Sequence, residues 1–231
     1  MINLLFKDYL FNKKNIIFFA IFYLICTALF IVDKFTSNIA TKDIIGFMTI
    51  LPWFSSYLLM RISGMEDNDN TRYFLKSLPY SDNMRVISRY FFMFINLFAV
   101  TLYCIFIYVM FFPIQVYILQ ISSFAFCAIL IYCSLYIALH FRYSFFAAQN
   151  CPYFIFAILV FLSFISNFAK SSRDVIFSNI LDYIKLVANS PVLYIATALI
   201  TVVLAIVACY GEKREKRVRV RAVRNLWKKF S

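Results

Sequence analysis

The chain has 231 residues, of which 63% are apolar, 20% are aromatic and only 15% are charged. A soluble domain is about 45 to 50% apolar and about 25% charged, so this composition excludes a water-soluble fold and indicates a membrane protein. The 23 Lys and Arg residues outnumber 11 acids and give a net charge of +12. On so hydrophobic a protein, basic segments are expected to face the anionic inner leaflet, so membrane lipid and not nucleic acid is the expected partner.

Six apolar runs of roughly 20 residues, uncharged except for Arg61 at the end of the second run, predict six transmembrane helices. They are residues 16–32, 44–62, 90–112, 116–141, 144–168 and 191–210. Before the first run, apolar residues at helical spacing predict a separate N-terminal helix in the membrane interface. Pro52 is expected to bend the second span, Pro113 to form the turn of a helical hairpin, and Gly211 to end the last span. The predicted fold class is an all-α polytopic membrane protein.

The distribution of basic residues predicts the orientation of these spans. With the N-terminus inside, 18 of the 23 Lys and Arg residues fall in cytoplasmic segments and five fall outside. Because basic loops stay on the cytoplasmic side, both termini are predicted to be cytoplasmic. Residues 1–210 then form one transmembrane domain with a cytoplasmic loop at 63–89 and an extracellular helix at 170–190, and residues 211–231 form a basic tail.

The sequence offers no catalytic, cofactor or metal site. His140 is the single histidine, all acids lie outside the apolar runs, and three glycines do not form a phosphate-binding loop. The six cysteines lie in or beside apolar stretches without a paired spacing, so they are interpreted as core residues. Since proton- or sodium-driven transport needs ionisable groups inside the membrane, any transport energy is expected from a partner.

Several polar residues do fall inside the predicted spans. Each is interpreted as a hydrogen-bonding group between helices. They are Asn96, Thr101, Gln120, Ser122, Ser123, Ser134, Ser163, Ser166 and Asn167.

The cytoplasmic loop contains a short amphipathic helix, a break and the start of a second helix. Asn70 or Thr71 caps the first helix, Pro79 ends it, and Ser81 with Asp82 caps the second, which continues into the third span. Three apolar residues form a patch on the first helix: Phe74, Leu75 and Leu78. This patch either lies on the membrane surface or docks in a groove of a soluble partner.

The same loop resembles a motif of the ABC-2 type permeases, the membrane subunits of bacterial ABC exporters. The matching residues are Glu66, Asn68, Asn70, Thr71, Leu75, Ser77, Leu78, Pro79, Val86 and Tyr90. Arg89 stands where the family more often has lysine, which preserves the charge. The predicted architecture also resembles the family along the whole chain, with an interfacial N-terminal helix, six spans and both ends inside.

This resemblance implies that the loop docks on a separate cytosolic ABC ATPase, which would carry ATP and Mg²⁺, so no cofactor is expected on this chain. The contact residues that it implies are Glu66, Thr71, Arg72, Tyr73, Phe74, Leu75, Lys76 and Leu78. It also implies a second permease subunit, in a homodimer or heterodimer, and a multi-pass location in the inner (cytoplasmic) membrane of a bacterial cell. Residues 170–190 resemble the family's extracellular lid; an interfacial helix without a gating role is the alternative.

Small permeases of this length resemble exporters of amphipathic peptides, such as phenol-soluble modulin exporters and lantibiotic immunity systems. Aromatic residues in the second and fifth spans are the candidate pathway lining: Trp53, Phe54, Tyr57, Phe154, Phe156, Phe161 and Phe164. Such side chains suit the apolar face of a peptide. The alternatives are a six-span substrate-binding component of a vitamin uptake transporter and a non-transporting membrane scaffold.

The tail after Gly211 is strongly basic and is predicted to lie on the anionic inner leaflet. Its membrane-facing basic residues are taken as Arg214, Arg217, Arg219, Arg221, Arg224, Lys228 and Lys229. A plain stop-transfer cluster of charges is the alternative.

Overall fold

The structure, a computed structural model, describes residues 2–36, 41–66, 81–143, 148–150 and 188–230, and after Gly211 it describes the backbone alone. The regular structure of these ranges consists of five long helices and one short helical piece at 148–150. The long helices are α1 (Ile2–Thr36), α2 (Thr41–Glu66), α3 (Asp82–Phe111), α4 (Val116–Arg142) and α5 (Pro191–Phe230). With a rise of about 1.5 Å per residue, each is longer than the roughly 30 Å bilayer core.

Every long helix contains a segment that is apolar and long enough to cross a membrane. These segments are Asn12–Val32, Ile44–Arg61, Asn83–Phe111, Val116–Arg142 and Pro191–Gly211. They match five of the six predicted spans, which confirms the all-α polytopic class. The predicted fifth span at 144–168 and the extracellular helix at 170–190 lie outside the described residues.

Contacts between helices distinguish two ends of the bundle. The turn end holds residues 112–115, which join α3 to α4. The charged end holds an ion pair between Asp8 of α1 and Arg89 of α3. Val86, one turn before Arg89, packs in one core cluster with Phe141 of α4 and Ala208 of α5. The N-terminal part of α1 therefore lies at the same end of the bundle as the last turns of the α5 span. The assignment of this end to the cytoplasm is a prediction from the count of basic residues.

The path of the chain after α4 follows from a contact at the turn end. The side-chain amide of Gln120, near the start of α4, donates a hydrogen bond to Asn189 Oδ1 at 2.6 Å. Arg142 and Asn189 therefore lie at opposite ends of the bundle, which is what the predicted fifth span requires. The total number of spans stays a prediction.

The central helix of the described bundle is α4. More than half of its span, 56%, is buried, whereas only 11% of the spans of α1 and α5 is buried. One core cluster surrounds the second half of α4, and another gathers residues of α2, α3 and the start of α4 near the turn end. The apolar residues that α1 and α5 leave exposed are the surface expected to meet lipid or another membrane helix.

The N-terminal segment is helical, as predicted, but it is not a separate helix. α1 continues without interruption from Ile2 to Thr36, through the boundary predicted at Ile16. Nothing in the sequence breaks it, since the range contains neither proline nor glycine. The Asn12 side chain also bonds within the helix, donating to the Asp8 carbonyl at 3.2 Å.

Gly211 does not end the last helix, contrary to the prediction, because α5 continues to Phe230. Its role is close packing against the end of α4. A Cβ atom at this position would lie 2.7 Å from Arg142 Cα and 2.9 Å from the Phe141 carbonyl oxygen. Glycine therefore permits the two helices to approach backbone to backbone. The position of the basic tail on the leaflet stays a prediction, and it requires α5 to bend where it leaves the membrane.

The predicted proline and cap positions agree with most of the helix boundaries. α3 starts after Ser81, whose hydroxyl accepts a hydrogen bond from the Met84 amide at 3.4 Å, as an N-cap residue does. Pro113 lies in the turn between α3 and α4, and Pro191 is the first residue of α5. α2 continues through Pro52 as a single helix.

Candidate functional site

An open face of α2 carries the three predicted pathway residues of the second span. They are Trp53, Phe54 and Tyr57, with exposed fractions of 40, 41 and 50%. Ile50, one turn earlier, is exposed on the same side. We call these four residues the aromatic face. Their spacing of three and four residues places them on one side of the helix, so the structure brings these predicted residues together.

The aromatic face lies between α1 and α4. The Trp53 ring stacks on Tyr132 of α4 with a centroid distance of 4.8 Å. On the other side, the rings of Phe54 and Tyr57 contact two phenylalanines of α1 at 5.5 and 5.8 Å. Each side chain is thus held on one side by a ring of a neighbouring helix and remains 40 to 50% exposed. The predicted pathway residues of the fifth span, Phe154, Phe156, Phe161 and Phe164, lie outside the described residues.

Sequence reasoning missed a buried charge pair at the charged end. Asp8 is 0% and Arg89 is 2% exposed, and Asp8 Oδ1 lies 3.8 Å from an Arg89 guanidinium nitrogen. Lys7 Nζ is 3.1 Å from the same oxygen. The Asp8–Arg89 distance exceeds that of a hydrogen bond, so the interaction is an attraction between charges. A buried carboxylate is costly unless it is paired, and here Asp8 is paired with Lys7 on its own helix and with Arg89 of α3.

The pair was missed because α1 has a polar stripe that faces inward. Asp8, Asn12 and Thr27 are buried, while Phe6 and Leu10 are more than half exposed. In a soluble protein the polar side of a helix faces outward, but a membrane helix turns its few polar residues toward the bundle. The sequence did contain one signal: Asp8 and Asn12 are four residues apart, which places two polar side chains on the same side of the helix.

The helix ends that flank the predicted ATPase contact lie at the same end of the bundle as this pair. α2 ends at Glu66 and α3 begins at Asp82, both at the charged end, so the loop between them opens there. Arg89 is two helical turns into α3. Of the implied contact residues, Glu66 is described by its backbone, and those from Thr71 to Leu78 lie outside the described residues.

Two of the polar span residues bond between segments as predicted. The Asn96 side-chain amide of α3 donates to the Ser55 carbonyl of α2 at 3.1 Å, and Gln120 bonds Asn189. Three others bond instead to the carbonyl four residues earlier in their own helix: Thr101, Ser123 and Ser134. Ser163, Ser166 and Asn167 lie outside the described residues.

Three further hydrogen bonds between the described helices involve tyrosines that the list of polar span residues left out. Tyr23 of α1 donates through its hydroxyl to the Leu51 carbonyl of α2 at 3.4 Å. The hydroxyls of Thr27 in α1 and Tyr103 in α3 are 2.7 Å apart. Tyr90 of α3 donates through its hydroxyl to the Ser134 carbonyl of α4 at 3.0 Å. The hydroxyls of Tyr103 and Tyr90 therefore tie α3 to α1 and α4.

A cavity of about 290 Å³ lies between α3, α4 and α5. Its walls are mainly apolar, with Phe94, Phe98 and Tyr194 among them. Most of its hydroxyl groups are already used within their own helices, since Thr101 and Thr197 each donate to a carbonyl one turn earlier at 2.8 Å. A pocket for a polar vitamin needs several convergent polar groups, and this cavity does not supply them.

The comparisons with known proteins agree with this architecture. A family model described as ABC-2 family transporter protein matches residues 3–211, from the start of α1 to the end of the α5 span. Neither the curated proteins nor the solved structures contain a match. The matched range includes the cytoplasmic loop, the aromatic face and the buried charge pair. The chain therefore belongs to the ABC-2 transporter family and is a multi-pass membrane component of an ABC transporter, not its catalytic subunit.

Proposed function

We propose that the chain is the permease subunit of an ATP-driven exporter that moves amphipathic or hydrophobic peptides out of a bacterial cell, in toxin secretion or peptide self-immunity. It works with a separate cytosolic ATPase and a second permease subunit. The observation that supports this substrate class is the aromatic face of α2. Its four residues are uncharged and 40 to 55% exposed in the single chain.

The chemistry of this face favours an apolar partner. Aromatic side chains bury a large area when they are covered, and the open parts of these rings carry no charge that would select a small ion. A peptide with one apolar face can slide over such a surface without fixed hydrogen bonds. The facing wall of the pathway would come from the second permease subunit.

The energy would enter through the cytoplasmic loop. Phe74 belongs to the apolar patch that the family resemblance assigns to the ATPase contact. Phe74→Asp should weaken ATPase retention in a pull-down and abolish peptide-stimulated hydrolysis, because a carboxylate in an apolar groove is costly unless paired. Retention and stimulation both equal to those of the parent protein would leave the loop as a surface helix.

The substrate proposal is tested by a double variant of the aromatic face. Trp53→Ala with Tyr57→Ala should reduce peptide export by roughly ten- to thirtyfold, since each ring contributes about 1 kcal/mol when its exposed half is covered. The measurement is uptake of a fluorescent amphipathic peptide into inverted membrane vesicles that contain the chain and its ATPase. Phe106→Ala is the matched control, because Phe106 is 60% exposed on α3, away from this face.

The two alternatives give different results in the same vesicles. A vitamin uptake component would retain a bound vitamin through purification and would not respond to the peptide. A scaffold without transport activity would show equal peptide uptake with and without ATP. Either result would contradict the export function.

A further inference from the structure

We propose that Asp8 is a positioning residue that, through Arg89, couples movement of the cytoplasmic loop 63–89 to α1. This inference rests on the proposed function, because it assigns a step in energy transfer within the same permease. Asp8 touches neither substrate nor nucleotide. It acts by holding the guanidinium of Arg89, which belongs to the helix that leaves the loop.

Arg89 lies in α3, close to the point where the helix leaves the loop. It lies seven residues after Asp82, the first residue of α3, which is about 11 Å along the helix. Val86, Ser88 and Arg89 are all at most 2% exposed, so this part of α3 is packed and moves as a unit. A displacement of the loop that shifts the start of α3 therefore shifts the Arg89 guanidinium.

α1 is the helix that such a shift can move. Only 11% of its span is buried. Toward the turn end it is attached through aromatic and hydroxyl contacts, including the stack of Phe30 on Phe47 at 4.5 Å and the Thr27–Tyr103 bond. At the charged end it is attached by the ionic link from Asp8 to Arg89. Between these ends, Phe19 and Phe22 contact rings of α2. Phe19 lies about 17 Å from Asp8 along the helix, so the part of α1 before Phe19 can pivot about these contacts when the charged end moves.

An ion pair suits this role better than apolar packing does. The energy of two charges falls as the inverse of their separation, whereas dispersion contacts lose about a quarter to a half of their energy when a gap of about 0.5 to 1 Å opens. The pair already stands at 3.8 Å, and within the described part of the chain neither carboxylate oxygen of Asp8 accepts a hydrogen bond. The link therefore has no fixed hydrogen-bond geometry to break, and it persists while the helices slide.

The test uses the complete complex of permease and ATPase in lipid nanodiscs and compares three changes. Asp8→Asn keeps the size of the side chain and removes its charge. The exchange Asp8→Arg with Arg89→Asp restores an ion pair of reversed polarity. The pair Asp8→Leu with Arg89→Met replaces the ion pair by apolar side chains. This double variant is expected to fold even if Asp8→Asn, which removes only one charge of the buried pair, prevents folding.

Peptide-stimulated ATP hydrolysis is the first measurement. The inference expects at least a tenfold loss of stimulation in Asp8→Asn and in the apolar pair, with the ATPase still retained in a pull-down, and recovery to at least half in the exchanged pair. A merely structural pair would leave the apolar variant fully stimulated. That result, or full stimulation of Asp8→Asn, would overturn the inference.

Hydrogen exchange of residues 2–15 is the second measurement, and it does not depend on transport. Asp8→Asn should raise exchange there at least threefold and leave residues 20–32 unchanged, because the contacts toward the turn end remain. Unchanged exchange at 2–15 would show that the pair does not hold α1, and so would also overturn the inference. A third outcome separates the two proposals. If the peptide does not stimulate hydrolysis in the parent complex but Asp8→Asn still raises hydrogen exchange at residues 2–15, only the proposed function is contradicted.

Discussion

The two ends of the bundle are held together by different interactions. At the turn end, Phe30 stacks on Phe47 at 4.5 Å and contacts Phe112 at 5.1 Å, so rings from α1, α2 and the α3–α4 turn form one group. At the charged end, two helices meet through the Asp8–Arg89 pair, and α5 meets α4 at Gly211. The first end is fixed by interlocking side chains. At the second end, α3, α4 and α5 share a packed core cluster, and α1 is attached beside it by the ionic link.

For α1, this difference separates a rigid attachment from one that can transmit movement. Ring stacks and buried hydrogen bonds have narrow energy minima and resist displacement. The ionic link tolerates displacement, and it lies beside the loop that is proposed to bind the ATPase. The proposed site of ATPase binding and the ionic link of the described bundle are thus expected at the same end.

The largest expected effect concerns the close contact at Gly211. Gly211→Ala should destabilise the fold by about 1 to 3 kcal/mol, since the added methyl group meets backbone atoms of α4 that cannot rotate away. The measurement is the thermal unfolding midpoint in detergent. Gly46→Ala is the control, because a Cβ there meets nothing closer than Ile50 Cδ1 at 3.9 Å. Equal midpoints for the two variants would contradict the close approach of α5 and α4.

A smaller effect is expected at the rigid end. The Tyr108 hydroxyl donates to the Pro113 carbonyl at 2.9 Å and accepts from the Gln115 amide at 2.8 Å, which closes the α3–α4 turn. Tyr108→Phe removes both bonds and should cost about 1 to 2 kcal/mol. Tyr210→Phe, at a tyrosine that is 70% exposed, serves as control in the same unfolding assay. No difference between them would show that the turn is held by its rings alone.

The smallest effect is expected at the hydroxyl contact that attaches α1 toward the turn end. Thr27→Val removes the hydrogen bond to Tyr103 and should cost about 0.6 kcal/mol, the average for such bonds between membrane helices. Thr101→Val makes the same chemical change where the hydroxyl bonds only its own helix at Leu97. The difference between their unfolding midpoints measures the interhelical part. If Thr101→Val lowers the unfolding midpoint more than Thr27→Val does, the Thr27–Tyr103 hydrogen bond does not contribute to the attachment of α1.

The sequence predicted the spans well because length and apolar content decide which segments cross a bilayer. The second, fourth and last described spans agree with prediction within about a residue at each end. The third begins at Asn83 and not at residue 90, since α3 runs directly out of its Ser81 cap and includes charged residues at its start. Hydropathy places such residues in a loop, although the helix continues through them.

What the sequence did not reveal is which side of each helix faces the bundle. Asp8 was placed on a surface helix because the apolar residues around it have amphipathic spacing, but the same spacing fits a helix whose polar side is buried. Gly211 was interpreted as a helix end because glycine often has that role. Its contact with Arg142 depends on the packing of two helices that are about 70 residues apart in sequence, which a local pattern does not encode.

The sequence predicted the aromatic face only in part, because it does not reveal which helices lie beside that face. Trp53, Phe54 and Tyr57 fall together at helical spacing, so their common face follows from the sequence. Their position between α1 and α4 depends on the arrangement of the bundle, as shown by the Trp53–Tyr132 stack. Composition alone does not separate open aromatic rings from those in the core, such as Tyr136, which is 0% exposed.

The central claim is that this permease is driven by a separate ATPase at its charged end and responds to amphipathic peptides. The most direct test is ATP hydrolysis by the complex purified with its ATPase in nanodiscs, with and without a synthetic amphipathic helical peptide. The account predicts that the ATPase co-purifies, that the peptide stimulates hydrolysis, and that the permease alone hydrolyses no ATP. Hydrolysis by the isolated chain, or a complex that responds to a polar vitamin and not to the peptide, would contradict it.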